Sequence, residues 1–177
     1  MQAYYTSHYH SPLGNITLAS DGSSLIGLWF DGQKYFADSI AGEKTQNDKM
    51  LPVLADTCHW LDIYFSGKQP DFIPPLKMLS TPFRKAVWEI LLTIPYGKTM
   101  TYGEIATIIA TQKNIAKMSA QAVGGAVGHN NISIIIPCHR VIGAHGSLTG
   151  YAGGINKKIL LLEHEGIDIS RLTLPIG

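Results

Sequence analysis

Only two of the 177 residues are cysteine, Cys58 and Cys138, and they form no C-x-x-C pair. That scarcity excludes a disulfide framework and suits a reducing compartment in which both thiols are free. Long apolar runs are missing as well, since nothing approaches the roughly 18 residues that a membrane span needs. The N-terminal stretch MQAYYTSHYH has neither a basic nor an apolar region, so no secretory signal is expected and a cytoplasmic location is. Charged residues make up only 15% of the chain against 45% hydrophobic ones, which excludes a disordered polypeptide. There is no internal repeat and no low-complexity segment. Metal-ligand spacing is lacking too. Cys58, His59, His8 and His10 are the candidates in the N-terminal half, and neither a metal nor a cofactor is expected from them.

What charge there is falls unevenly. Residues 1–80 carry five lysines against eight acidic groups, a net −3, whereas residues 81–177 carry nine basic groups against five acidic ones, a net +4. A basic half favours a polyanionic partner, because neutralised phosphates release their counterions. An excess of this size is also common on protein surfaces.

The first thirty residues predict a β-meander. Tyr4–His10 and Asn15–Ser20 flank the turn Ser11-Pro12-Leu13-Gly14, and Leu25–Phe30 follows Asp21-Gly22-Ser23. Residues 31–49 are polar and read as a loop. Helical spacing over 51–65 (Leu54, Cys58, Leu61, Phe65) predicts a helix that Gly67 stops, and Pro70, Pro74 and Pro75 mark a linker.

The second half opens with Ser80-Thr81-Pro82, a cap followed by proline at the first helical position. Phe83, Val87, Ile90 and Leu91 supply its apolar stripe. A second helix is capped by Thr101 with Glu104 three residues on, and a third, 119–128, is capped by Ser119. Ile132–Ile136 is a β-branched run stopped by Pro137. A final helix over 156–165 is expected to bury Ile159, Leu160 and Leu162, with Gly166 past its end. The expected class is α+β. An antiparallel-sheet and helix domain spans 1–80, and a helix-turn-helix or winged-helix domain spans 81–177.

Two features carry chemistry. Ala120, Ala122, Gly124, Gly125, Ala126 and Gly128 leave the third helix almost without side-chain bulk, and each glycine costs roughly 1 kcal/mol of helix propensity relative to alanine. Close approach to a DNA groove and tight packing on a neighbouring helix are equally good compensations. Then Pro137-Cys138-His139-Arg140-Val141 follows the apolar run. A cysteine attacks as its thiolate, and a neighbouring imidazole or cation lowers its pKa. Adjacent residues on a regular strand face opposite ways, so cooperation of Cys138 with His139 requires a turn or a relaying water. An inert buried thiol is the alternative.

The run 136–143, followed by Gly150-Tyr151-Ala152-Gly153-Gly154 and by Leu161-Leu162-Glu163-His164-Glu165-Gly166, resembles the O6-alkylguanine-DNA alkyltransferases, also called methylated-DNA–protein-cysteine methyltransferases. The stretch 121–130 is similar to their recognition helix and the asparagine hinge after it. The resemblance is dense from Thr81 to Gly166. It implies a ribonuclease-H-like fold for residues 1–80. It also implies that Cys138 is the nucleophile, that His139 draws its proton through a water, that Glu165 orients His139, and that Tyr102 donates to the departing base. Asn130 braces the turn, and Val141, Tyr151, Ala152 and Gly153 form the base pocket. Thr101, Tyr102, Ala120, Gln121, Ala122, Gly124, Gly125 and Arg140 meet the DNA. The implied partner is double-stranded DNA containing O6-alkylguanine or O4-alkylthymine, taken by a monomer, with the base flipped out of the stack. Gln121 departs from the family's usual arginine, and 111–118 is longer than its counterpart.

Two other classes remain open on the residues alone. A Cys-His-Glu hydrolase needs an oxyanion hole and turns over. A winged-helix regulator without chemistry does not need Cys138.

Overall fold

In the computed structural model, which describes residues 3–174, the chain divides into two compact units. One gathers the residues up to Leu79 together with Asn131–Ile135, and the other gathers Ser80–Asn130 with the chain from Ile136 on. The class is α+β.

The first unit is built on β1 (Tyr4–Ser11), β2 (Gly14–Ser20) and β3 (Leu25–Phe30), paired antiparallel in that order. β3 is buried along its whole length, so it reads as a continuous apolar run, not an alternating one. Gly27 interrupts that run because the Trp29 indole lies across it; a Cβ there would fall 2.0 Å from the ring. α1 (Pro52–Phe65) packs on the sheet, with Pro52 in its first turn. Its buried stripe is Val53, Leu54, Thr57, Trp60, Leu61 and Tyr64, rotated from the expected one, so Cys58 is only half-buried.

One reading of the sequence needs correction here, and two further features carry no announcement in the sequence. The polar stretch 31–49 contains a strand, β4 (Thr45–Asn47), which pairs parallel to β1 and makes the sheet mixed, in the order β3-β2-β1-β4. All its residues are exposed, so it has no apolar alternation to betray it. The β-branched run 132–136 forms no strand. Only Ile132 bridges, to Leu28, after which Ile134 turns with a φ of 70° and the Ile135 N–H donates to Ser133 O at 2.8 Å. A positive φ is costly for a β-branched residue, and burial of the isoleucines on both sides holds it. The segment 131–135 also belongs to the first unit, an excursion that a single cut at residue 80 does not anticipate.

The second unit contains α2 (Pro82–Leu91), β5 (Met100–Thr101), α3 (Tyr102–Lys113), α4 (Ala120–Gly128), β6 (Val141–Ile142) and α5 (Ile155–His164). The caps are those read from the sequence: Thr81 accepts from Arg84 N, Thr101 from Glu104 N and Ser119 from Ala122 N. α4 packs on α2 and α3 through Val123, Ala126 and Val127, and Trp88 Nε1 donates to Ala126 O at 2.8 Å. β5 and β6 pair in parallel, Met100 beside Val141 and Thr101 beside Ile142. α5 buries Lys158, Leu161 and Leu162, while Leu160 points outward at 47% exposure, so the expected face is turned by one residue.

Candidate active site

Pro137 decides the local geometry. Its φ of −83° and ψ of 65° make an inverse γ-turn in which the Cys138 N–H donates to Ile136 O at 2.8 Å. Cys138, His139 and Arg140 then form one 3₁₀ turn and not a strand, and all three are buried. The turn that Cys138 and His139 need to cooperate is therefore present. Asn130, just past α4, donates from Nδ2 to the same Ile136 oxygen at 2.7 Å, tying the helix end to the turn.

Glu165 caps α5, with Gly166 beyond it at a φ of 86°. Its carboxylate gathers four donors. His139 Nε2 lies 2.6 Å from Oε2, Arg140 Nε donates to Oε1 at 2.7 Å, Arg140 Nη2 to Oε2 at 3.1 Å, and the Gly97 N–H to Oε1 at 3.1 Å. Burial alone raises a carboxyl pKa, but the hydrogen bonds from His139 and Arg140 and the charge of Arg140 outweigh it and hold Glu165 well below the usual range. An ionised carboxylate only accepts, so His139 carries its proton on Nε2. Burial, helped by the charges of Arg140 and Lys158 and opposed by Glu165, lowers the His139 pKa and keeps the ring neutral. His139 Nδ1 is then a bare lone pair, with no hydrogen-bond partner among the described residues. This is the arrangement of a general base held by an orienting carboxylate.

Cys138 is 5% exposed, and burial pushes its thiol up against the opposing effects of Asn130, Lys158 and Tyr151. The resting group is thus a thiol, from which a base must draw the proton. Lys158 was missed as a site residue. It is fully buried in α5, its Nζ donates to Val141 O at 2.6 Å, and burial holds its pKa down to about 8, with Cys138 pulling the other way. A signal for it exists: Lys158, Leu161, Leu162 and Glu165 follow the i, i+3, i+4, i+7 spacing of one helical face.

Tyr102 begins α3 directly after β5, and its hydroxyl accepts from Thr149 Oγ1 at 2.8 Å. Tyr151, Ala152 and Gly153 form the half-buried turn before α5, and Val141 is buried with its carbonyl already bonded to Lys158. Ala120, Gln121, Ala122 and Gly125 lie exposed on the outer side of α4, Gly124 is half-buried, and Thr101 is half-buried at the start of α3. Arg140 needs correction as a DNA contact. It is 8% exposed, and its guanidinium is engaged by Glu165 and by Ile94 O at 2.8 Å. In the 111–118 stretch, α3 runs on to Lys113, whose Nζ lies 5.2 Å above the Phe83 ring.

Comparison with known proteins gives a consistent picture. The model of the 6-O-methylguanine DNA methyltransferase DNA binding domain matches residues 82–167. The model of that methyltransferase's ribonuclease-like domain matches residues 4–78. A methylated-DNA–protein-cysteine methyltransferase of Mycobacterium bovis is 45% identical over 161 residues, covering 89% of this chain and 92% of that one. Its counterpart in Haemophilus influenzae is 40% identical over 168 residues, covering 94% and 89%. Among solved structures, Mycobacterium tuberculosis OGT in complex with DNA superposes with a TM-score of 0.76 at 42% identity, covering 97% of this chain and 95% of that one.

Proposed function

The chain belongs to the 6-O-methylguanine DNA methyltransferase family, and on that premise we infer that it repairs DNA directly, moving an alkyl group from the O6 atom of guanine onto Cys138. The observation that carries this reading is the neutral His139, held at Nε2 by ionised Glu165 beside a buried thiol in the same turn. A thiol with a raised pKa does not attack on its own. It attacks when a base takes its proton, and His139 Nδ1 is such a base.

The chemistry balances within the site. Cys138 gives its proton toward His139 through a water, and Glu165 stabilises the imidazolium that results. The sulfur electron pair forms a bond to the alkyl carbon, and the bond from that carbon to O6 breaks with its pair passing to the purine. Tyr102 protonates the departing base, and the proton that the thiol gave up then replaces the one lost by the tyrosine. Lys158 offsets the negative charge on sulfur from a distance. The product is a thioether, which no residue of the site can cleave, so each molecule acts once. Methyl is the expected cargo, with larger alkyl groups beside the small Ala152 and Gly153.

The target atom is out of reach inside a duplex, so the nucleotide is everted at a cost of about a few kcal/mol. The exposed, nearly bare face of α4, from Ala120 to Gly125, suits a minor groove into which the helix backbone must come close. Gln121 stands where it can offer an amide to the orphaned partner base. The protein is taken to act as a monomer in the cytoplasm, on double-stranded DNA.

A thiol hydrolase fits less well. Two backbone N–H groups beside the sulfur are already engaged, Cys138 N by Ile136 O and Arg140 N by Pro137 O at 2.9 Å. The test is mass spectrometry of the intact protein after mixing with an O6-methylguanine duplex. A mass gain of one methyl, mapped to Cys138 and lost in Cys138→Ser, supports the reading. Methylation elsewhere, or none, refutes it.

A further inference from the structure

Thr149 stands in none of the residue sets read from the sequence, yet its Oγ1 donates to the Tyr102 hydroxyl at 2.8 Å. A phenol has one proton to give and two lone pairs to offer. With the threonine hydrogen directed at one lone pair, the phenol proton cannot lie along that line and is turned away from Thr149.

Both side chains are seated by packing. The Tyr102 ring lies over Gly124 of α4, where a Cβ would stand 3.8 Å from Cδ1 and Cε1. The Thr149 methyl lies beside Gly143. A Cβ there would come within 3.3 Å of Thr149 Cγ2 and 3.1 Å of Ser147 Cβ, so the glycine leaves the threonine its place. A β-branched side chain has few χ1 choices, and a fixed methyl therefore fixes the hydroxyl. Burial and the nearby Cys138 strengthen the hold of Tyr102 on its proton, and the hydrogen bond from Thr149 works against both.

We propose that Thr149 is a positioning residue for alkyl transfer, holding Tyr102 Oη so that its proton is presented to the departing purine. The proposal rests on the reading of Tyr102 as the donor. As the carbon–O6 bond breaks and the sulfur–carbon bond forms, the phenol proton passes to the purine, and Thr149 bears part of the charge left on the phenol oxygen. The proton given up by Cys138 restores the tyrosine.

The test is a double-mutant cycle with Thr149→Val, Tyr102→Phe and their combination, and with Thr149→Ser as the conservative variant. Single-turnover methyl transfer is measured at saturating O6-methylguanine duplex, with duplex affinity and thermal unfolding measured alongside. Alkylation of Cys138 by methyl iodide is the control, because iodide departs without a proton. Thr149→Val is expected to slow saturated transfer about tenfold, the size of one lost hydrogen bond. Thr149→Ser, which keeps the donor but loses the methyl that seats it, should restore it in part, duplex affinity and the methyl iodide reaction should not move, and Thr149→Val should add nothing in the Tyr102→Phe background. Transfer by Thr149→Val at the wild-type rate, an independent further loss in the double variant, or an equal loss toward methyl iodide each overturns the proposal. A wild-type chain that takes no methyl from the duplex instead overturns the parent reading.

Discussion

Four hydrogen-bond donors on one carboxylate make Glu165 the residue on which the site's protonation pattern depends. Both oxygens are engaged by Arg140, one also by His139 and the other by Gly97. Glu165→Gln leaves the guanidinium of Arg140 buried against a neutral amide, and should destabilise the fold by about 3 kcal/mol at pH 7. The pH dependence has a definite sign. The folded carboxyl ionises below its ordinary 4.5, so the unfolded chain binds more protons in the interval between the two values, and stability rises with pH there. The gap between wild type and Glu165→Gln should be complete above about pH 4.5 and close as the pH falls further. Urea unfolding of both proteins across that range checks it; a gap that stays constant into strong acid contradicts it. The sequence located Cys138, His139 and Glu165 because they sit in motifs. It did not locate Gly97, which meets Glu165 across 68 positions, and the resemblance put Arg140 among the DNA contacts, whereas its guanidinium is buried against Glu165.

The glycines of α4 left two explanations open, and the structure separates them. Gly124 faces Tyr102, but a Cβ on Gly125 would meet nothing within 4 Å among the described residues. Packing inside the protein therefore does not require Gly125, and the proposed approach of a duplex is the explanation that remains. Gly125→Ala should raise stability by about 0.5–1 kcal/mol through helix propensity and yet weaken binding to duplex DNA. Thermal unfolding and a binding titration on one preparation read both signs, and a variant that is stabilised without losing affinity removes the groove from the explanation. The helices of this unit were legible because their caps are chemical: Thr81, Thr101 and Ser119 each accept the amide they were expected to accept. β4 was not legible, since Thr45-Gln46-Asn47 is polar throughout and is held by β1 alone. The run 132–136 is β-branched, a composition that favours strands locally, yet tertiary packing imposes a buried turn at Ile134.

For the molecule as a whole, the chain's path matters more than a boundary. It leaves the second unit after Asn130, enters the first over 131–135, and returns at Ile136 directly ahead of the reactive turn. Asn130 and Ile136, the residues on either side of that excursion, are joined by the 2.7 Å hydrogen bond that also borders Cys138. No periodicity announces such a detour, because it is a property of two folded units and not of a local segment. Every residue of the proposed chemistry belongs to the second unit, whose net positive charge suits a nucleic-acid partner. In the proposed reaction one thiol is consumed for each lesion repaired. Titration with a radiolabelled O6-methylguanine duplex in large excess tests this most directly. Label on the protein should rise to one methyl per chain and stop, with repaired duplex appearing in the same amount; continued repair beyond one equivalent, or label that leaves the protein while repair proceeds, would contradict it.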